Sequence, residues 1–280
     1  MRLRLRSERL FLGLRGLGLL RNWPFGDPDE ADAQLAAMRE LLDSSGSGAD
    51  LEVHALELAE AYAAWSATYD DTVNALFAAE EPAVRELVAE LPPGLALDVA
   101  CGTGRFARLL RELGHRVVAT DAVPAMLARA GSTRAADALV QAELTRQPVR
   151  DASVDLVTCG LALTQVPDLV RPFAEFARVV RPGGHVLVSD IHPIAVATGG
   201  HAFFRTEDGS RRVTRNEVHW PGAYVEAARR ADLVVERLVE PRFDRTFLAE
   251  MPDEQVRLGA ELGILGLPFA IVWRFVRAVA

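Results

Sequence analysis

The chain has 280 residues, half of them apolar and a quarter charged, which is typical of a globular protein with a sizeable core. Its formal net charge is −8, so its averaged field repels nucleic acids and anionic membranes, and we expect no nucleic-acid partner. The two cysteines, Cys101 and Cys159, are too few for a disulfide framework and favour buried thiols and a cytoplasmic location.

The first 21 residues combine arginines with leucines. Because Arg15 interrupts the apolar run and no small-residue cleavage site follows, we interpret this segment as a leucine-faced arm rather than a signal peptide. The arm would pack on the body of the protein or on a second copy in a homodimer; a weak membrane-surface helix is the alternative. No apolar run is long enough to predict a membrane-spanning helix.

A break rich in Pro, Gly and Asp follows the arm at residues 22–30. The next residues predict a helix over Asp32–Leu42 and a flexible loop over Asp43–Asp50. We therefore assign residues 1–50 to an N-terminal arm and linker.

Residues 51–93 are predicted to form a helical cap. Apolar residues recur there at spacings of three and four, the helical period, with breaks near Tyr69 to Asp71 and at Pro82. The Pro-Pro-Gly sequence that ends at Gly94 closes this helical region.

After Gly94 the pattern changes to short runs that are nearly all apolar, separated by amphipathic stretches of helical length. The runs predict strands at Leu95–Ala100, Arg116–Thr120, Ala138–Ala142, Val154–Cys159 and His185–Ser189. Helices are predicted between them at Arg105–Leu113, Pro124–Ala130 and Pro172–Val180. Strands that are apolar on both faces are typical of a parallel sheet covered by helices. The alternation therefore predicts an α/β, doubly wound, Rossmann-like domain over residues 94–280.

The C-terminal part departs from strict alternation. A hairpin around an Asp-Gly turn is predicted at Phe203–Val213, within an inserted segment, 195–220, that we interpret as a lid. The remaining predicted elements are a helix at Tyr224–Ala231, a strand at Leu233–Val239, a helix at Asp253–Leu262 and a strand at Phe269–Val276. The two late strands could add an antiparallel edge to the sheet.

The sequence "LDVACGTGRFARLL" joins the first predicted strand of the domain to a helix through a glycine turn. Its G-x-G-x-x-A pattern could hold a dinucleotide pyrophosphate. Asp98 argues against that ligand, since two like charges about 4 Å apart repel by about 4 kcal/mol at an effective dielectric of 20. The same carboxylate attracts an ammonium or a sulfonium. The turn therefore favours a ligand that is cationic at this end.

Acidic residues also end the next two predicted strands. Asp121 can accept hydrogen bonds from both hydroxyls of a ribose. Glu143 can accept from an adenine amino group while the backbone N–H of Leu144 donates to the ring. Together with Asp98 they would form a cradle for a cationic nucleoside, although each acid by itself could equally be a helix N-cap.

At this point the sequence resembles the class I S-adenosylmethionine-dependent methyltransferases, in the small-molecule branch that includes quinone C-methyltransferases and natural-product O- and N-methyltransferases. The resemblance covers roughly Tyr62 to Val279. Its motifs, in order, are "LDVACGTG", "VVATDAVPAML", "AELTRQPV", "VDLVTCGLALTQVPDL", "EFARVVRPGG" and "GILGLPFAIVWRFVR". It implies a seven-stranded sheet whose last strand is antiparallel, with S-adenosylmethionine as cofactor at the carboxyl edge and S-adenosylhomocysteine as product.

The resemblance also implies which residues bind the cofactor. Asp98, Gly102 and Gly104 would line the methionine end, Asp121 the ribose, Glu143 and Leu144 the adenine, and Cys159 and Gly160 would lie under the methionine or the sulfonium. Further cofactor-binding candidates are Ala100, Ala122 and Met126. In "YAAWSATYD" the aromatic residues Tyr62, Trp65 and Tyr69 are candidates to close over the cofactor, or are packed helix faces. Many family members have Gly where Ala100 stands and His where Gln165 stands, so a role for that His does not transfer.

Two histidines are candidates for the catalytic base or for a substrate ligand. His192, in "SDIHP", follows the fifth strand of the domain, and His219, in "NEVHW", ends the inserted segment. An imidazole titrates near neutrality and suits deprotonation of a phenol, hydroxyl or amine. Both could instead be structural. With His201 they match no zinc spacing, and no metal site is predicted.

These observations predict a methyltransferase for a small organic acceptor, at O or N rather than C. Two alternatives remain open: a cyclase or rearrangement enzyme that uses the sulfonium without transferring the methyl group, and a non-catalytic ligand-sensing module. A nicotinamide oxidoreductase is disfavoured by Asp98.

Overall fold

The computed structural model describes residues 2–44, 51–71, 74–249 and 254–279. The strands are β1 Arg2–Leu5, β2 Leu51–Ala55, β3 Leu95–Val99, β4 Arg116–Asp121, β5 Ala138–Gln141, β6 Val154–Gly160, β7 Val180–Ile191, β8 Ala202–Arg205, β9 Arg211–Thr214, β10 Leu233–Val239 and β11 Ala270–Arg277. The helices are α1 Ser7–Asn22, α2 Pro28–Ser44, α3 Leu58–Trp65, α4 Ala75–Ala89, α5 Arg105–Glu112, α6 Pro124–Ser132, α7 Val170–Val179, α8 Pro193–Ala197, α9 Pro221–Arg230, α10 Arg245–Ala249 and α11 Glu254–Gly263, with a 3-10 helix at Leu163–Gln165.

The chain divides into two compact units. The smaller unit is Met1–Ala55 with Arg242–Pro268, and the larger is Leu56–Pro241 with Phe269–Ala280. Residues 242–268, which we expected inside the 94–280 domain, cluster with the N-terminal residues instead. Within the described ranges, no helix combines the length and the apolar character that crossing a membrane would require.

The larger unit is built on a seven-stranded sheet in the order β10-β11-β7-β6-β3-β4-β5. Strands β7, β6, β3, β4 and β5 are parallel to their neighbours, whereas β11 runs antiparallel to both β7 and β10. The predicted doubly wound, Rossmann-like sheet with an antiparallel last strand is therefore confirmed. The carboxyl ends of β3, β4, β5 and β6 meet at one edge, where this fold class binds its ligands.

The central strands are buried on both faces because helices cover both faces. Along β3, Ala96 packs with residues of α4 and α5, while Leu97 and Val99 pack with residues of α7 and α9. This alternation follows from the two-residue period of a strand. It also directs Asp98, two residues after Ala96, toward the α4 and α5 side.

The smaller unit contains an antiparallel pair of strands and a helical cluster. β1 pairs with β2, with Leu3 opposite Val53. Helix α1 packs on α11, and the Arg21 guanidinium donates to the carbonyl oxygens of Gly263 at 2.9 Å and Leu265 at 3.1 Å. A cation at this position satisfies the free carbonyls at the end of α11.

Several predicted boundaries need correction. Residues 51–55 form a strand, not the start of a helix, because Leu51, Val53 and Ala55 alternate with the period of two that pairing with β1 requires. Helix α2 begins at Pro28, inside the predicted break, where proline suits the first helical turn. The predicted loop at 43–50 falls largely outside the described residues. The hairpin predicted at 203–213 is confirmed as β8 and β9.

Candidate functional site

A cavity of about 190 Å³ lies at the carboxyl edge of the sheet in the larger unit. Predicted cofactor residues make up much of its wall: Tyr62, Tyr69, Asp98, Ala100, Gly102, Asp121, Ala122, Glu143, Leu144 and Gly160. They come from α3, from the turn after it, and from the ends of β3, β4, β5 and β6. The fold thus brings together residues that are almost a hundred positions apart in the chain.

The floor of the cavity is the turn between β3 and α5. Ala100, Gly102 and Gly104 all adopt left-handed conformations, with φ of 54°, 55° and 85°. A Cβ atom added at Gly102 would meet no atom within 4 Å, whereas one at Gly104 would lie 2.3 Å from the Cβ of Ala135. Gly102 therefore leaves open space above the turn, and Gly104 allows close packing of the helix start.

Asp98 presents an unpaired carboxylate oxygen within this wall. Its Oδ1 accepts a hydrogen bond from the Thr158 hydroxyl at 2.7 Å, and its buried Oδ2 has no partner. Burial raises the pKa of Asp98 to about 7, against the lowering effects of the Thr158 hydrogen bond and of the Arg105 charge. An unpaired buried acceptor of this kind is costly unless a ligand supplies a donor. The arrangement is suited to binding a cation.

Asp121 connects the end of β4 to the glycine turn. Its Oδ2 accepts from the Gly102 N–H at 2.8 Å and its Oδ1 from the Val123 N–H at 2.8 Å. Burial raises the pKa of Asp121, while these backbone hydrogen bonds lower it. Each carboxylate oxygen keeps acceptor capacity for a further donor such as a ribose hydroxyl.

The loop after β5 brings Glu143 and Leu144 to the same edge. The Gln147 side chain donates to the Glu143 carbonyl oxygen at 2.8 Å and accepts from the Thr120 hydroxyl at 2.8 Å. Gln147 therefore holds the loop on β4. The Glu143 side chain remains exposed to solvent.

Aromatic side chains from α3 and the following turn form a cluster beside the cavity. The ring centroids of Tyr62 and Tyr69 lie 5.7 Å and 4.7 Å, respectively, from that of Trp65, and Trp65 stacks on Phe204 of β8 at 4.7 Å. Tyr62 and Tyr69 line the cavity, and burial raises the pKa of both phenols, so they are neutral at pH 7. Trp65 instead connects this cluster to the predicted lid hairpin.

Arg105 and Thr103 also line the cavity, and sequence reasoning missed them. The Arg105 guanidinium forms an ion pair with the fully buried Glu80 and lies 4.3 Å from the ring centroid of Phe77. The Thr103 hydroxyl donates to Asp70 at 2.9 Å. In the sequence, Glu80 fits the pattern of an exposed residue on an amphipathic helix. Its ion pair with Arg105 therefore becomes evident only from its burial in the fold.

The two candidate catalytic histidines do not line the cavity. The Nδ1 atom of His192 accepts from the Ile194 N–H at 3.2 Å and caps α8, and its Nε2 lies 3.1 Å from Oε1 of Glu240. Burial lowers the pKa of His192. The Nε2 of His219 is 2.7 Å from the Val166 carbonyl oxygen, which can only accept, so this nitrogen carries the proton. Both rings therefore have structural hydrogen bonds, and this geometry lends the predicted base role no support.

Three predicted cofactor residues are likewise absent from the cavity wall. Met126 and Cys159 are buried in the core, and Gly104 serves the packing described above. Cys101 and Cys159 are free, buried thiols, as the sequence predicted. Among the residues that the structure describes, no group of three or more His, Cys, Asp or Glu side chains could hold a metal ion.

Comparison with known proteins agrees with this geometry. Residues 97–188 match the family model described as a methyltransferase domain. Residues 97–188 thus carry a methyltransferase domain. S-adenosylmethionine is the cofactor of this domain.

The methyltransferase domain is similar to two curated enzymes. It is 38% identical over 117 residues to malonyl-[acyl-carrier protein] O-methyltransferase of Serratia marcescens, in an alignment that covers 42% of this chain and 46% of that protein. It is 36% identical over 117 residues to demethylmenaquinone methyltransferase of Deinococcus radiodurans, covering 40% of this chain and 48% of that protein. The chain thus spans less than half the length of the curated relatives it matches.

A solved structure extends the similarity beyond the matched motifs. An S-adenosylmethionine-dependent methyltransferase from Mesorhizobium loti is 26% identical, with a TM-score of 0.55 over 71% of this chain and 98% of that one. The cavity of the present chain fits the cofactor on two observations: the unpaired Oδ2 of Asp98 and the open space above Gly102.

Proposed function

We propose that this protein transfers a methyl group from S-adenosylmethionine to an oxygen or nitrogen atom of a small organic acceptor. The observation that carries the proposal is the unpaired carboxylate oxygen of Asp98 on a cavity whose floor is a glycine turn with open space above it. A buried anion in that position favours a cationic nucleoside over a pyrophosphate.

We assign each part of the cofactor to a residue of the cavity wall. Asp98 would hold the methionine end, and Asp121 the ribose hydroxyls. Glu143 and the Leu144 N–H would bind the adenine, while Tyr62 and Tyr69 would close over the ligand. Tyrosines suit that position because burial keeps them neutral and their rings exclude water.

When bound, S-adenosylmethionine supplies a sulfonium methyl group, whose carbon–sulfur bond breaks as the bond to the acceptor forms, leaving S-adenosylhomocysteine. The chain's task is to hold the acceptor atom about 3 to 3.5 Å from that methyl group and in line with it. A base is needed only when the acceptor must lose its proton before or during transfer. With both candidate histidines occupied in structural hydrogen bonds, positioning and exclusion of water are the contributions that the wall residues can make.

The small-molecule acceptor class is supported by the match to a methyltransferase domain and by a cavity of about 190 Å³. The Serratia relative is named for an O-methylation and the Deinococcus relative for a quinone precursor. Our choice of O or N over C, a cytoplasmic location, the lid role of 195–220, the cap role of 51–93 and a homodimer remain proposals from the sequence.

Isothermal titration with S-adenosylmethionine tests the first half of the proposal. We expect saturable binding, and an absence of heat at millimolar cofactor would refute it. Incubation with methyl-labelled cofactor and a panel of phenols, amines and quinones tests the second half. Label in an acceptor together with S-adenosylhomocysteine supports transfer; cofactor binding with no labelled product across the panel would favour a sensing module.

A further inference from the structure

The end of the predicted lid segment is fastened to the turn that follows β6. The Glu217 N–H donates to the Thr164 carbonyl oxygen at 2.7 Å, and His219 donates to the Val166 carbonyl oxygen at 2.7 Å. In addition, the Gln165 side chain donates a hydrogen bond to the Oδ1 of Asn216. Gln165 also lines the cofactor cavity, so this contact links the inserted segment to the cavity wall.

The orientation of both amides follows from one backbone group. The Asn216 side chain, which is almost fully buried, lies 3.1 Å from the Gly200 carbonyl oxygen, which can only accept a hydrogen bond. Asn216 must therefore present its NH₂ group to Gly200 and its Oδ1 to Gln165. Gln165 must in turn present its NH₂ group to Asn216, since two amide oxygens facing each other would repel.

This sequence of donors and acceptors leaves the Oε1 of Gln165 as a buried acceptor with no partner. Its neighbours on the cavity wall, Leu161, Ala162 and Val166, contribute apolar side chains. A buried carbonyl oxygen without a donor is disfavoured, and such groups are normally satisfied by a ligand or an ordered water. Any group that pairs with the Oε1 of Gln165 must therefore be a hydrogen-bond donor.

We propose that the Oε1 of Gln165 accepts a hydrogen bond from the O–H or N–H group of the methyl acceptor, and so selects a phenol, an alcohol or an amine. The proposal rests on the methyltransferase function proposed above and adds the substrate class. An amide oxygen is too weak a base to take the proton, so Gln165 binds and orients the acceptor without deprotonating it. An acceptor with no O–H or N–H group would leave the oxygen unpaired, which is how such sites reject close analogues.

Phenol and anisole are matched probes. Anisole carries a methyl group in place of the hydroxyl hydrogen of phenol and therefore has no hydrogen-bond donor. We would measure the Kd of each by ligand-detected NMR on the protein loaded with S-adenosylhomocysteine. The wild-type protein is expected to bind phenol at least about fivefold more tightly than anisole. In Gln165→Leu the preference should disappear while the affinity for S-adenosylhomocysteine changes less than about twofold. Equal affinity of the wild type for both probes, absence of binding by either, or a preference that persists in Gln165→Leu would overturn the proposal.

Gln34 offers a matched control, since its Oε1 is also buried and unpaired but Gln34 does not line this cavity. Gln34→Leu should keep the phenol preference. If Gln165→Leu does not fold, Asn216→Leu gives a second variant: it frees the Gln165 amide to turn, and the preference should fall. A crystal structure of the phenol complex should place the phenol oxygen about 2.7 to 3.0 Å from Oε1; a water molecule there in place of phenol would refute the assignment. Failure of the wild type to bind S-adenosylhomocysteine would remove the proposed function itself, a different result from loss of donor selectivity alone.

Discussion

The carboxylate of Asp121, at the end of β4, accepts a hydrogen bond from the backbone N–H of Gly102 at 2.8 Å, so one strand end holds the glycine turn of its neighbour. This contact joins Asp121, the proposed acceptor for the ribose hydroxyls, to the turn that forms the floor of the cavity. Loss of the carboxylate should therefore affect both ligand contacts and the turn.

Asp121→Ala is expected to weaken S-adenosylmethionine binding more than about tenfold, because charge-assisted hydrogen bonds to the ribose and to the turn are lost together. Isothermal titration measures this. Asp137→Ala is the matched control, since Asp137 also accepts from a backbone N–H, that of Val117 at 2.7 Å, and does not line the cavity. An unchanged Kd in Asp121→Ala would contradict the ribose assignment.

Asp98→Asn should weaken cofactor binding and yet stabilise the ligand-free protein at pH 8. The folded-state pKa of Asp98 is about 7, above the ordinary value of 3.8. Between these values the folded state holds a proton that the unfolded state has lost, so the free energy of unfolding falls as the pH rises through that range. Asparagine keeps an acceptor for the Thr158 hydroxyl but does not ionise. In Asp98→Asn, the decrease in the free energy of unfolding that is due to Asp98 should therefore be absent.

Thermal melts from pH 4 to pH 8 measure how steeply the stability of the wild type and of Asp98→Asn falls with pH. Burial also raises the pKa of Asp190 to about 7, so its ionisation makes the stability of both proteins depend on pH to some extent. Identical pH profiles for the two proteins would contradict a buried, ionising Asp98.

Ala100→Gly should stabilise the protein. Ala100 has φ of 54°, a left-handed conformation that costs a residue with a Cβ about 1 to 2 kcal/mol. Glycine removes this strain but adds about 0.4 to 1 kcal/mol of unfolded-chain entropy, so the net gain is about 0 to 1.6 kcal/mol, with about 2 to 4 °C in Tm for each kcal/mol. Ala107→Gly, in the middle of α5, should lower the Tm. A lower Tm in Ala100→Gly would show that the Cβ of Ala100 makes a compensating contact.

His192→Asn separates a structural role from a catalytic one. The structure predicts a lower Tm, from loss of the Glu240 contact, and a kcat reduced less than about tenfold for any acceptor found in the panel. A general base would account for about 10² to 10⁴ in rate. A loss of that size, with the cofactor Kd unchanged, would restore His192 as the base.

The sheet was predictable because its central strands are buried on both faces, and burial of that kind is visible as nearly continuous apolar runs such as Leu95–Ala100, which only Asp98 interrupts. The strand β2 was missed because Leu51–Ala55 has only five residues and lies before a long helical pattern. The helices α8 and α10 were missed because five residues are too few to show a helical period.

The meeting of the acidic residues at one cavity was largely predictable as well. In a parallel sheet all carboxyl ends meet at one edge, so acids at successive strand ends, Asp98, Asp121 and Glu143, had to lie near one another. The roles of His192 and His219 could not be derived in the same way. They follow strands or loops whose path depends on tertiary contacts, and their hydrogen bonds run to Glu240 and Val166, 48 and 53 residues away.

The amino-acid sequence by itself determined the class of fold and the sheet edge at which Asp98, Asp121 and Glu143 meet, because these depend on local periodicity and on which residue ends each strand. Tertiary structure alone decided that Glu80 is buried against Arg105, that neither His192 nor His219 lines the cavity, and that Gln165 is left with an unpaired oxygen. Those outcomes depend on which donors and acceptors from distant parts of the chain become neighbours. Hydrogen bonds of this kind produce no periodic pattern in the amino-acid sequence.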